Sequence, residues 1–271
     1  MKRTTFLATM ITVAGAAAPA LAASPAGARP EDFHWSGNVA AGAAVEIKGV
    51  NGGIVATGAP SGEVEVTAAK KGRKSDPAQV KIEVVEHDGG VTVCAVYPSE
   101  GGAPNECKPG PGGRMHVHDN DVNVEFRVKV PAGVRFVGRT VNGGVTATGI
   151  AADAEAHSVN GGVEVESGGI ARAETVNGGI TARLGRADWT GALTLKTVNG
   201  GIDVFVPAGL SAEVKASTVN GDIQTDFPLA VTGRISHRSI QGTIGGGGRL
   251  LEMETVNGGI ALRKAGGAKT D

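Results

Sequence analysis

Residues able to do chemistry are few and lie close together. His116-Val117-His118-Asp119-Asn120-Asp121 is the one local cluster that could hold a metal. On a strand His116 and His118 share a face, which offers a divalent ion two imidazoles, and Asp121 or Asp119 could add an oxygen. A third convincing ligand is not visible, and a solvated loop leading into a strand at Val122 accounts for the same residues. No metal, cofactor or catalytic site is assigned. Cys94 and Cys107 are the only cysteines. In an exported chain such a pair favours a disulfide closing the loop through residues 98–104, and the spacing is not the Cys-x-x-Cys of a redox pair. The chain has no Gly-x-Ser-x-Gly elbow, no Walker loop and no His-Glu-x-x-His helix, so an enzyme is not expected. A net charge of −1 gives no basic stripe for nucleic acid.

The elements that must position these residues come from a repeat. Thr175-Val176-Asn177-Gly178-Gly179-Ile180 recurs with small changes around Asn51, Asn142, Asn160, Asn199, Asn220 and Asn257, and Gln241 stands in for Asn once. Self-similarity of this kind marks units that cannot bury an apolar face alone and must stack on their neighbours. Upstream of each turn, Phe136, Ala156, Ala173, Leu195, Ala216 and Met253 alternate with Arg139, Glu155, Glu174, Lys196, Lys215 and Glu254. Downstream, Val145, Val163, Ile180, Ile202 and Ile260 open a second alternating run. Period two with one dry and one wet side means strand, turn, strand. The Asn-Gly-Gly turn supplies positions that tolerate positive φ. Thr or Ser two residues before each Asn falls on the dry side, which predicts a buried hydroxyl bonded to backbone at the turn.

Two architectures share this grammar. In a two-residue hairpin closed by Asn-Gly, Thr175 and Ile180 would face each other, and the parity permits it. In a solenoid each strand pairs in parallel with its counterpart one coil away, the turns are corners, and the Asn side chains can stack as a ladder. Successive turns fall 16 to 22 residues apart from Asn142 onward, which suits coils of two or three short strands. Aromatics are only 3% of the chain, and the dry positions are Ala, Val, Ile, Leu and Thr, which suit close sheets. The expected fold is all-β, a right-handed parallel β-helix-like solenoid with Asn-Gly-Gly corners and an irregular, partly antiparallel N-terminal portion.

The Thr-Val-Asn-Gly-Gly-Ile units, with Val130-Pro131-Ala132-Gly133-Val134 and its echo Val206-Pro207-Ala208-Gly209-Leu210, resemble the bacterial putative-adhesin family of β-strand-repeat envelope proteins, a domain of unknown function. The resemblance runs from about Val45 to Leu262. It implies a β-solenoid of the cell envelope with no family catalytic residues to carry over.

In chain order, residues 1–22 read as a signal peptide. Lys2 and Arg3 form the basic start, residues 6–18 a short apolar run, and Ala20-Leu21-Ala22 a cleavage site. Residues 23–30 read as a flexible start, 31–135 as the N-terminal β portion with the disulfide loop, 136–264 as the regular solenoid and 265–271 as a polar tail. Phe33 and Trp35 are expected to cover the open end of the stack. His87-Asp88-Gly89-Gly90 reads as a hairpin loop. Trp189 interrupts the regular spacing and is a candidate surface contact, or else a ring folded over a corner. The functional expectation is a non-catalytic exported protein, periplasmic or secreted and cell-surface associated, acting as a putative adhesin or binding module for an unidentified envelope protein or glycan. It would have no transmembrane segment in the mature chain. The alternatives are a self-associating envelope scaffold and, third, a polysaccharide-active β-helix enzyme.

Overall fold

The structure, a computed structural model, describes residues 33–99, 101, 103–231 and 236–266. The expected signal peptide, its cleavage site and the flexible start lie outside the described residues, as does most of the polar tail. Among the described residues the one helical element is a single 3-10 turn, Pro77–Gln79. Everything else is strand and turn, in two sheets that share one core.

The first sheet runs in space from Phe33–Gly37 through Val64–Lys71, Asn123–Pro131, Ile54–Ala59, Val145–Ile150, Val163–Ser167, Ile180–Leu184, Ile202–Val206 and Ile260–Lys264 to Ile223–Thr225. The second runs from Lys81–His87 through Gly90–Val96, Ala44–Lys48, Arg135–Arg139, Ala154–His157, Ala171–Glu174, Ala192–Lys196, Arg249–Asn257 and Ala212–Asn220 to Ser239–Ile244 and Ala230–Val231. Each Asn-Gly-Gly carries the chain from a strand of the second sheet to a strand of the first, so a coil is two strands. Strands of successive coils pair in parallel and in register, as Val145, Val163, Ile180, Ile202 and Ile260 do.

Alternation sets which side is dry. Val145, Val163, Ile180, Ile202 and Ile260 are all buried, opposite Phe136, Ala156, Ala173, Leu195 and Met253. Full burial of each larger side chain contributes about 1.5–3 kcal/mol, so a stack of such rows carries the stability of the fold. The charged set between them, including Glu164 and Glu166, faces out.

The coils do not stack in sequence order. The coil of Asn257, last in the chain, sits between those of Asn199 and Asn220: Arg249–Asn257 pairs in parallel with Ala192–Lys196 on one side and with Ala212–Asn220 on the other. Past Ile223–Thr225 the chain turns back and Ser239–Ile244 pairs antiparallel with Ala212–Asn220. Gly245, Gly247 and Gly248, at φ of 57°, 70° and 105°, then carry it over that strand into the remaining slot. Such φ values favour glycine, which explains the glycine run there. This placement corrects the reading of Gln241. It lies inside the strand Ser239–Ile244 rather than at a turn, and its Nε2 donates to Glu213 Oε1 at 3.3 Å.

Residues 60–131 are the irregular part, and they are partly antiparallel. Val64–Lys71 pairs antiparallel with both Phe33–Gly37 and Asn123–Pro131, and Lys81–His87 forms a hairpin with Gly90–Val96 around Asp88-Gly89. Gly90–Val96 docks in parallel on Ala44–Lys48, so the coil of Asn51 is continuous with the regular stack. Phe33 and Trp35, half-buried at the end of the first sheet, pack against the core.

Candidate functional site

Along one edge of the stack the turns build a continuous structure. The Nδ2 of Asn142 donates to Oδ1 of Asn51 at 2.9 Å, and Asn160 to Asn142, Asn177 to Asn160, Asn199 to Asn177, Asn257 to Asn199 and Asn220 to Asn257 follow at 2.7–2.8 Å. Inside each turn the buried hydroxyl has its partner. Thr140 Oγ1 donates to Gly52 O, Ser158 to Gly143 O, Thr175 to Gly161 O, Thr197 to Gly178 O, Thr255 to Gly200 O and Thr218 to Gly258 O, at 2.7–2.9 Å. Between Thr or Ser and Asn, the valine faces solvent in every such turn but that of Val198, which is half-buried. Val141, Val159, Val176, Val219 and Val256 form a row with 38–54% of each residue exposed.

The first glycine of each turn is fixed by closeness of backbones. A Cβ on Gly178 would stand 2.2 Å from Gly161 O, and one on Gly143 would stand 2.1 Å from Gly52 O. Positive φ, the reason expected from the sequence, applies well inside its range only at Gly52, at 122°.

At the Asn51 end the ladder opens into a groove of about 1080 Å³. Its floor is Val50, Asn51, Ala95, Val141 and Asn142, and its wall is the loop through residues 105–121 with Lys74 and Ser75. Several contacts hold that wall. Cys94 and Cys107 are joined, with Cα atoms 5.7 Å apart. Lys48 Nζ donates to the carbonyls of Lys108, Gly110 and Gly112. Burial pulls this ammonium below its usual range, and the neighbouring Glu46 carboxylate opposes the shift. Glu46, itself buried, accepts from Gly110 N at 2.8 Å, Thr92 Oγ1 at 3.0 Å and Arg139 Nε at 3.1 Å. Tyr97 donates to Val122 O at 2.7 Å, and burial pushes its hydroxyl up to about 12. Asn51 Nδ2 reaches Asn120 O at 3.3 Å, which ties the ladder to the wall.

From this corner a charged row crosses the outer face of the second sheet. Lys48, Arg139, His157, Glu174, Lys196 and Glu254 are register partners from strand to strand. Arg139 Nη2 and His157 Nε2 both lie 2.6 Å from Glu155 Oε1. The His157 hydrogen bond, ahead of the Arg139 charge, holds the Glu155 carboxyl down at about 2.

The residues singled out from the sequence are not gathered into one site. Asp121 accepts from Ser75 N at 2.9 Å and Lys74 N at 3.0 Å, and these backbone bonds hold its carboxyl below the usual range. His118 Nδ1 lies 3.2 Å from Asp119 Oδ2, and the backbone of His116 bonds Asn105. Among the described residues no group of three metal-ligating side chains converges. Trp189 is no surface contact. It is 4% exposed, its Nε1 donates to Leu250 O at 3.0 Å, and Arg249 lies over its ring. The anchors that sequence reasoning missed are Glu46, Lys48 and Arg139, which read as ordinary wet-side charges. The signal that could have pointed to a cation seat is the Pro-Gly run at residues 108–113, where Pro109 and Pro111 have no N–H to donate.

The groove's floor sets Val50, Ala95 and Val141 beside the amides of Asn51 and Asn142, and its lining also carries Lys74, Glu106, Arg114 and Asp119. Such a lining can hold an extended ligand that combines apolar and charged groups. No described helix is long and apolar enough to cross a membrane.

The family model described as Toastrack DUF4097 matches residues 132–263. Among solved structures, a putative cell adhesion protein from Clostridium sporogenes is similar at 11% identity and a TM-score of 0.41, covering 86% of this chain and 99% of that one. A putative adhesin from Bacteroides fragilis is similar at 10% identity and a TM-score of 0.34, covering 88% of this chain and 100% of that one. No curated protein matches. The regular part of the chain, residues 132–263, is thus what is similar to the Toastrack DUF4097 family.

Proposed function

We propose that this is an exported, non-catalytic binding module of the cell envelope, and that its ligand, an envelope glycan or protein, sits in the groove at the Asn51 end of the ladder. The observation that carries this reading is the groove itself. The disulfide, the Lys48 seat and buried Glu46 all hold one wall in place over a floor that the repeat has already built. A wall fixed on several sides is what a binding site needs, because ordering it beforehand removes that cost from association. Export is supported by the signal-like start of the sequence and by a disulfide that suits an oxidising compartment. Non-catalytic action is supported by redundancy: the polar groups that recur most, the Asn and the buried hydroxyls, are consumed in holding neighbouring coils together.

The test is a pull-down from isolated envelope glycan and envelope protein fractions, comparing the protein with Lys74→Glu and Arg114→Glu. Capture that falls in both charge-reversal variants while melting is unchanged supports the groove. Capture unaffected by them sinks it.

A second reading, a scaffold that self-associates, is favoured by the exposed valine row. Sedimentation separates the two, since a scaffold should form larger species that Val176→Lys disperses.

A further inference from the structure

Seven turns of this protein contain Asn followed by Gly, the sequence in which a side-chain amide is most open to attack by the next backbone nitrogen. In six of them the ladder blocks the reaction twice over. The glycine N–H is committed: Gly52 donates to Asn142 O, Gly143 to Asn160 O, Gly161 to Asn177 O, Gly178 to Asn199 O, Gly200 to Asn257 O and Gly258 to Asn220 O, all at 2.8–3.0 Å. The side chain is committed as well. Asn177, for example, donates to Asn160 Oδ1 at 2.8 Å and accepts from Asn199 Nδ2 at 2.7 Å, so its Cγ is held from both sides.

Asn220 is different because, among the described residues, no further coil lies beyond it. Its Nδ2 donates to Asn257 Oδ1 at 2.8 Å. Among the described residues, however, nothing donates to its Oδ1, and Gly221 N donates to no acceptor. Asn220 is exposed.

We propose that Asn220 is a site of spontaneous modification, where the last rung of the ladder converts from amide to carboxylate while the other six are protected. The Gly221 nitrogen, losing its proton to hydroxide, bonds to Asn220 Cγ. The Cγ–Nδ2 bond then breaks, and Nδ2 leaves as ammonia after taking a proton from water. The succinimide ring that remains is opened by water at either carbonyl to give aspartate or isoaspartate. No oxidation state changes, and the sum is amide plus water to carboxylic acid plus ammonia. The product places a negative charge two residues from Asp222 and removes the donor to Asn257, so the end coil is loosened from its neighbour.

The test incubates the purified, disulfide-intact protein in mildly alkaline buffer and follows all seven sites by peptide mapping that resolves isoaspartate. A parallel sample is held in denaturant. Reaction inside the ladder requires local opening, so folded-state conversion at Asn220 is expected to run on the order of tenfold or more ahead of the other six. In denaturant the seven should convert at comparable rates. Interior asparagines that keep pace with Asn220 in the folded protein would overturn the proposal. So would an unchanged Asn220, or the same preference for it in denaturant, which would assign the effect to Asp222 in the local sequence.

Discussion

The regular stack and the N-terminal excursion solve the same problem in opposite ways. In the stack each polar group at a turn meets its counterpart one coil away, so one set of contacts serves six interfaces. In residues 60–131 nothing repeats, and order comes from single contacts: one disulfide, one lysine seated on three carbonyls, one buried tyrosine. A repeat spreads its stability and leaves little room for a unique site. The excursion concentrates its stability, and it walls the groove whose floor the stack supplies.

Four experiments break or sharpen that contrast, taken from the largest expected effect down. Gly178→Ala puts a Cβ 2.2 Å from the Gly161 carbonyl, backbone against backbone, and neither coil can yield without shifting its register. A loss of about 3 kcal/mol or more is expected by chemical denaturation, toward the upper end of overpacking costs. A near-normal midpoint would show that the coils are less closely stacked than this. Removing the disulfide with Cys94→Ser and Cys107→Ser together should cost up to about 3 kcal/mol on the chain-entropy account. Hydrogen exchange should place the loss in the loop of residues 105–121 and leave residues 135–264 protected, whereas a uniform loss would erase the distinction between the two regions.

Thr197→Val keeps the shape of the side chain but leaves Gly178 O without its 2.8 Å partner in a site 1% exposed. A destabilisation of about 1–2 kcal/mol is expected, read as a lower melting temperature, and no change would mean that the hydroxyl is dispensable. The smallest effect belongs to Glu155. Its carboxyl is depressed to about 2 in the folded state from an ordinary 4.5. The stability it lends is therefore fully present above that ordinary value and is lost as pH falls through about 2. Glu155→Gln should lower the neutral plateau of a stability-pH curve modestly and converge on the parent near pH 2, which flattens the acid limb; curves that coincide at every pH would remove this pair from the account.

Much of the stack was legible because alternation and the turn sequence say the same thing. The inward Thr and Ser, the outward charges and the Asn ladder all follow from period two plus parallel register. Coil order was not legible, since every coil presents nearly the same dry face and nothing local tells Ile202 to accept Ile260 rather than Ile223 as its neighbour. Gln241 misled for a related reason. Ser239-Ile240-Gln241-Gly242-Thr243-Ile244 copies the spacing of the repeat, but it runs antiparallel along Ala212–Asn220, which sets Gln241 opposite Lys215 rather than at a corner. Trp189 stayed open between surface contact and a ring folded over a corner, because a ring of that size beside a glycine-rich interruption can go either way; it folds in, and the Leu250 carbonyl that takes its N–H belongs to a strand sixty-one residues later. The groove drew on segments around residues 48, 74, 95, 115 and 141, which only the fold brings together.

The inserted coil also has a consequence for the order in which the molecule can be made. A chain synthesised from its N-terminus can lay down the coils of Asn51 through Asn199 one upon another. The next one, around Asn220, must then wait, because in the first sheet Ile223–Thr225 has, among the described residues, no neighbour except Ile260–Lys264. Until residue 264 has emerged, Ile202–Val206 and Ala192–Lys196 present bare edges, the kind of surface on which unfinished chains stick to each other. The final strand therefore closes the molecule like a keystone rather than extending it, and a chain stopped short of residue 249 forfeits two coils instead of one.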